Sequence, residues 1–187
     1  MAARAVPPSS PGNGLKRDPA LVPLSRDHHE ALVQARALRI AASGGEAERG
    51  KHPVLATARG FLGYFEQQLL GHMQDEERTL LPVAEAAGVD SQRIRSEHQE
   101  LRGLAAGIGE SLRAASDPAA LMQEAGQLLD DHVRYEERAF FEAVQQALTA
   151  QQLHDLGRAL EAAREARGGP SCAVNLSAGR PDPSPTR

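Results

Sequence analysis

Along most of this chain apolar residues recur every three or four positions, the interval at which a helix returns to the same face. The stripe Leu24, His28, Ala31, Leu32, Ala35 and Leu38 predicts a first helix, with Ser25 as its N-cap and Ser43-Gly44-Gly45 as its stop. A second helix is expected from about Val54 to Leu81, with Pro53 at its first turn and Pro82 ending it. It turns Phe61, Phe65, Leu69, His72, Glu76 and Leu80 inward. After the break at Gly88, a helix capped by Asp90 or Ser91 carries Ile94, His98, Leu101, Ala105, Ile108 and Leu112. A fourth, with Pro118 at its first position, runs to about Leu148 and presents Met122, Ala125, Leu129, His132, Glu136, Phe140 and Val144. Thr149 caps a short fifth helix with the stripe Leu153, Leu156, Leu160 and Ala163.

Four long helices with shortish links predict an all-α, up-down-up-down four-helix bundle over 21–150. The short C-terminal helix occupies 151–167. Residues 1–20 and 168–187 are rich in Pro, Gly and Ser without apolar periodicity, and are expected to be a disordered arm and a disordered tail. Composition agrees: the chain is 41% hydrophobic but only 3% aromatic with no Trp, which suits close-packed helices better than sheets.

Two near-copies of one phrase, His72-Met-Gln-Asp-Glu76-Glu77 and His132-Val-Arg-Tyr-Glu136-Glu137, interrupt these apolar stripes. Residues four apart lie ~40° from each other around a helix, so each phrase puts one imidazole and one carboxylate on the inner face. A single such pair is most often a solvated pair worth a few tenths of a kcal/mol. Two copies among inward-facing apolar residues are different, because buried ionisable groups need partners and a cation is the simplest one.

His28 and His98 belong to the inner stripes of the other two helices. Counting residues from each histidine to its break gives 15 against 18, 9 against 8 and 17 against 14 for successive helices, so all four fall in one layer. The set His28, His72, Glu76, His98, His132 and Glu136 is too many ligands for one closed tetrahedral zinc. It is about right for two metals with positions left open. Imidazole with carboxylate suits iron, although manganese or zinc fits the same groups. His29, about 100° from the stripe, is the alternative first-helix ligand, and Glu137 the alternative to Glu136. His52 in a polar loop and His154 beside its stripe are expected at the surface.

The order and helical placement of these six residues resembles the hemerythrin-like family, also called the HHE cation-binding domain, over roughly residues 21–150. The resemblance implies a non-haem di-iron centre within the bundle, with Glu76 and Glu136 as bridging carboxylates. Two positions depart from the oxygen-carrying pattern. Arg102 stands four residues after His98 where those proteins have a second His, and the fourth helix offers HxxxE, with Glu137 in the place of their Asp. The chain is therefore similar to the variant branch, which is linked to iron handling, oxygen or redox sensing, nitric oxide response and peroxide chemistry.

The expected partner is a small diatomic or peroxide ligand, bound or sensed. Di-iron oxidoreductase chemistry on peroxide or nitric oxide is the alternative, and a metal-free structural bundle the second. Tyr64, Gln68 and Tyr135 are candidates to hydrogen-bond a bound ligand. The formal charge of -4 comes with no basic stripe, which argues against nucleic acid. No apolar run approaches the ~20 residues of a membrane span. Without a secretory signal and with Cys172 as the one cysteine, a cytoplasmic location is expected.

Overall fold

The computed structural model describes residues 16–43 and 53–168, and these form five helices without a strand. Helix α1 spans Val22–Ser43, α2 covers 54–86, α3 spans Gln92–Arg113, α4 covers 119–147 and α5 spans Ala150–Ala166. Helix α1 packs against α2 and α4, and α3 packs against the same two, which closes the antiparallel bundle. Helices α1 and α4 approach closely at Gly126, where a Cβ would stand 2.7 Å from the carbonyl oxygen of Ala35. Helix α5 lies outside the four and crosses α2 between 70 and 80.

Three wide turns with i→i+5 hydrogen bonding lie inside the long helices: Phe65–Leu69 and Glu76–Leu80 in α2, and Glu136–Phe140 in α4. Their origin is in the spacing. Inward residues four apart, such as His72, Glu76, Leu80 and Ala84, drift ~40° per step in a regular α-helix. A turn that holds more residues cancels the drift and keeps the stripe buried. All of Phe61, Phe65, Leu69, His72, Glu76 and Leu80 are buried as a result.

The same device corrects the expected end of α2. The helix does not stop at Pro82 but continues through Leu81–Ala86. Leu81 N–H bonds to the Glu76 carbonyl across the wide turn, and Pro82 follows where the turn relieves the ring clash that a regular helix would impose. Ser25 is not an N-cap either: it lies one turn inside α1, bonded through its backbone N–H to Leu21. The chain is turned at Asp18 instead, whose carboxylate accepts the Ala20 N–H at 2.9 Å. Pro118 occupies the cap position rather than the first position of α4, and Pro53 that of α2. Before α3, the Asp90 carboxylate accepts the Gln92 N–H at 2.9 Å, while the Ser91 hydroxyl bonds to Glu85. Thr149 forms a reciprocal cap with Gln152 at the start of α5.

Two apolar clusters fill the bundle. One contains Leu38, Phe61, Leu69, Leu101, Met122 and Leu129; the other contains Leu24, Leu81, Ile94, Phe140, Phe141 and Val144, and is closed below by Leu153, Leu156 and Leu160 of α5. Residues 16–20, which composition assigns to the N-terminal arm, are described and pack against α4 through Arg17 and Asp18. The rest of the arm, the Gly44-Gly45 stop, His52, Cys172 and the remainder of the tail lie outside the described residues.

Candidate metal centre

Between the two apolar clusters lies a polar layer. His28 on α1, His72 and Glu76 on α2, His98 on α3, and His132 and Glu136 on α4 are all buried in it. Two groups within it offer atoms close enough to hold a metal ion: His28, His72, Glu76 and Glu136, and Glu76, His98, His132 and Glu136. Both glutamates belong to both groups. Glu76 stands 3.4 Å from His72 Nε2 and 3.3 Å from His98 Nε2, and Glu136 stands 3.0 Å from His28 Nε2 and 3.5 Å from His132 Nε2. His29 is exposed and outside the layer, and so is His154.

Each imidazole turns its Nδ1 away from the centre onto a further carboxylate. His72 meets Asp27 at 3.3 Å, His98 meets Glu77 at 2.9 Å, His132 meets Glu97 at 2.9 Å and His28 meets Glu137 at 2.6 Å. The accepting carboxylates run around the bundle in order: α1 serves α2, α2 serves α3, α3 serves α4 and α4 serves α1. An arginine anchors each carboxylate. Arg164 holds Asp27 through two bonds of 2.8 Å, Arg102 holds Glu77 through two of 2.9 Å, Arg93 holds Glu97 at 2.7 Å and Arg17 holds Glu137 at 2.7 Å.

This outer ring fixes the chemistry inside. A carboxylate on Nδ1 favours a proton there, so a ring that gives up its Nε2 proton points that lone pair inward, as a metal-binding imidazole does; in this structure the Nε2 atoms of His28 and His72 share a 3.2 Å hydrogen bond. Glu76 Oε1 and Oε2, Glu136 Oε1 and Oε2, and the Nε2 atoms of His98 and His132 have no hydrogen-bond partner of adequate geometry. Leaving a buried ionised carboxylate uncompensated costs several kcal/mol. Four imidazole nitrogens and two carboxylates around one space form an electron-rich donor set that a cation satisfies.

The titration of these groups responds to the same field. Burial works against a charged His28, yet its contacts with Glu136 and Glu137 push its pKa up to about 10. His132 is raised as well: burial opposes its charge, and the fields of Glu136, Glu97 and Glu76 outweigh it. Burial would raise Asp27 and Glu137, but the His72 and Arg164 contacts hold Asp27 at about 2, and His28 with its neighbours holds Glu137 at about 2. Glu77 and Glu97 lie below the ordinary carboxylate range for the same reason. The layer draws positive charge toward itself.

Sequence reasoning carried Glu137 as the alternative fourth-helix ligand; Arg17 holds it in the outer ring, as Arg102 holds Glu77. It missed that both also orient histidines, and it missed Asp27 and Glu97 altogether. A signal was present, since each outer carboxylate is the sequence neighbour of an inner residue: Asp27 of His28, Glu77 of Glu76, Glu97 of His98 and Glu137 of Glu136. Among the described residues no hydrogen bond joins Tyr64, Gln68 or Tyr135 to the six inner residues. Tyr135 instead packs under the Arg93 guanidinium, 3.9 Å from the ring centre.

A four-helix bundle with histidine and glutamate donors converging from all four helices defines a class of buried cation-binding centres. The chain belongs to the hemerythrin HHE cation binding domain family, whose profile matches residues 21–144. Comparison with curated proteins and with solved structures found no match. Among the described residues no helix is long and apolar enough to cross a membrane.

Proposed function

We propose that this protein binds two non-haem iron ions and uses them to bind or sense oxygen, nitric oxide or peroxide, or to handle iron. His28 and His72 would hold one ion and His98 and His132 the other, with Glu76 and Glu136 available to both. The single observation behind this reading is that both buried glutamates belong to both four-residue groups and have no hydrogen-bond partner. Manganese or zinc fits the same donors, and iron is favoured by ligand type and open positions rather than by raw affinity, in which zinc exceeds ferrous iron.

Iron at these positions supplies a redox-active centre with open coordination for a small ligand. The chain's own residues do the rest. The outer carboxylates fix the tautomer and angle of every imidazole, and the four arginines keep those carboxylates ionised and in place. The apolar clusters above and below exclude water from the layer. With its one cysteine, Cys172, in the C-terminal stretch, we place the protein in the cytoplasm.

Elemental analysis of protein from iron-replete cells, joined to an anaerobic spectrum repeated after oxygen, nitric oxide and peroxide, tests the reading. About two metals per chain are expected from the ligand count, with near-ultraviolet absorption appearing on oxidation. Metal-free protein whose stability iron does not change would refute it. A second reading, catalytic turnover of peroxide or nitric oxide, draws on a cavity that reaches His72 from the surface. Sustained consumption beyond one equivalent per centre separates it from simple binding.

A further inference from the structure

The polar layer repeats itself. Asp27-His28 on α1 matches Glu97-His98 on α3, and His72, Glu76 and Glu77 on α2 match His132, Glu136 and Glu137 on α4. One half differs in what surrounds it. Glu97 is anchored from its own helix by Arg93, four residues earlier, whereas Asp27 is anchored by Arg164 from the last turn of α5. Beside that contact lies a cavity of about 300 Å³, lined by Asp27, His72, Tyr64, Gln67, Gln68, Arg164 of α5 and Arg167 just past its end. Arg167 crosses α2 to pair with Asp75, and it does so over Gly71, where any Cβ would overlap its guanidinium.

The cavity meets the centre on the Nδ1 side of His72, where Asp27 stands. Of the four histidine–carboxylate contacts this is the longest, at 3.3 Å, although Arg164 grips both oxygens of Asp27 just as Arg102 grips both of Glu77. The His72 ring is therefore the least firmly held, and the group that holds its partner belongs to a helix outside the bundle. Every lining side chain ends in a polar group, whether amide, phenol, imidazole, guanidinium or carboxylate, carried on an apolar stem or ring. Such a passage solvates hydrogen-bonding species and gives an apolar gas no advantage over the protein interior.

We propose that the last turn of α5 is the gate of the centre: small hydrogen-bonding ligands of the azide and peroxide class reach it past His72 when Arg164 and Asp27 swing aside. Arg164 is a positioning residue that acts on His72 through Asp27. The inference rests on the metal-binding reading above and adds the route and the gate.

The test uses full-length, iron-loaded, oxidised protein with azide as the probe, followed by absorbance in rapid mixing. Gln67→Trp, at an exposed position, plugs the cavity and is expected to slow azide association roughly tenfold, the scale on which gating steps govern access. Arg164→Ala is expected to speed it, with Arg164→Lys between that variant and the unsubstituted protein. Gln99→Trp, exposed on α3 beside His98, is the control and leaves the rate unchanged. Extraction of iron by a chelator should follow the same order. In metal-free protein, Arg164→Ala should accelerate amide hydrogen exchange in the last turn of α5, a readout independent of any ligand. Nitric oxide association with reduced protein is expected to change much less than azide in the plugged variant. Equal slowing of both would overturn the ligand class. Unchanged azide and chelator rates in iron-loaded Gln67→Trp and Arg164→Ala would overturn the gate while leaving the metal reading intact. Failure to take up iron at all would overturn both.

Discussion

Sharing both glutamates between two positions makes a quantitative prediction, because a shared ligand and a private one should not cost the same when removed. His28 belongs to one four-residue group and Glu136 to both. Each position filled at a thousandfold excess over its Kd stabilises the folded chain by about 4 kcal/mol, so two contribute about 8 kcal/mol. For a chain of this length, with about 2–4 °C per kcal/mol, that is a rise in Tm of roughly 16–32 °C on loading. His28→Ala should keep the position built by His98 and His132, retaining about one metal and about half of the rise, as linkage at a single site requires. Glu136→Gln preserves volume but takes a charged oxygen from both positions, and it should fall below His28→Ala in both metal content and Tm rise. Calorimetry with and without metal, paired with elemental analysis and circular dichroism to verify helicity, measures all three quantities. Equal losses in the two variants, or two metals retained by Glu136→Gln, would refute the bridged geometry.

Proton linkage gives a second expectation. His28 keeps its proton to about pH 10 in metal-free protein, so metal must displace it at neutral pH, and affinity should climb as pH rises toward that value. Calorimetric titration in buffers of different ionisation heat counts the proton released. In metal-free protein the His28 contribution to stability, referred to an ordinary value of 6.5, is fully present below pH 6.5 and lost by pH 10. Asp27 and Glu137, both held at about 2, act in the opposite sense: their contribution is present above their ordinary 3.8 and 4.5 and disappears as pH falls to 2. Urea midpoints across both ranges check the two signs. Gly126→Ala should destabilise by about 1–3 kcal/mol, because its Cβ has to displace the Ala35 carbonyl and the Arg39 side chain where α1 and α4 meet; thermal melts measure it. Thr149→Ala removes the reciprocal cap of α5 and should cost about 1 kcal/mol, visible as a small loss of Tm.

Much of this architecture was legible in the order of residues. The stripes of α2 and α4 run His72, Glu76, Leu80 and His132, Glu136, Phe140, and every member is buried. What a regular helical period hides is the means: successive steps of four residues cannot stay on one face without wide turns, and those turns also carry α2 past Pro82. The outer ring was hidden for another reason. Asp27 and Glu97 look solvated on their own helices, and their partners His72 and His132 belong to neighbouring ones. Helical periodicity describes a single rod, whereas these contacts depend on how adjacent rods are rotated against each other. Arg164 lies further still from such reasoning, because it reaches Asp27 from a helix that the four-helix pattern does not require.

The polar layer divides the interior into two separate oily compartments, with Leu69 and Leu101 on one side and Leu81 and Phe140 on the other. A molecule interrupted at the waist in this way has a built-in seam, and a pair of multivalent ions would act on it as a rivet. Each compartment would then owe its coupling to the other to the ions as well as to the four helices that run through both.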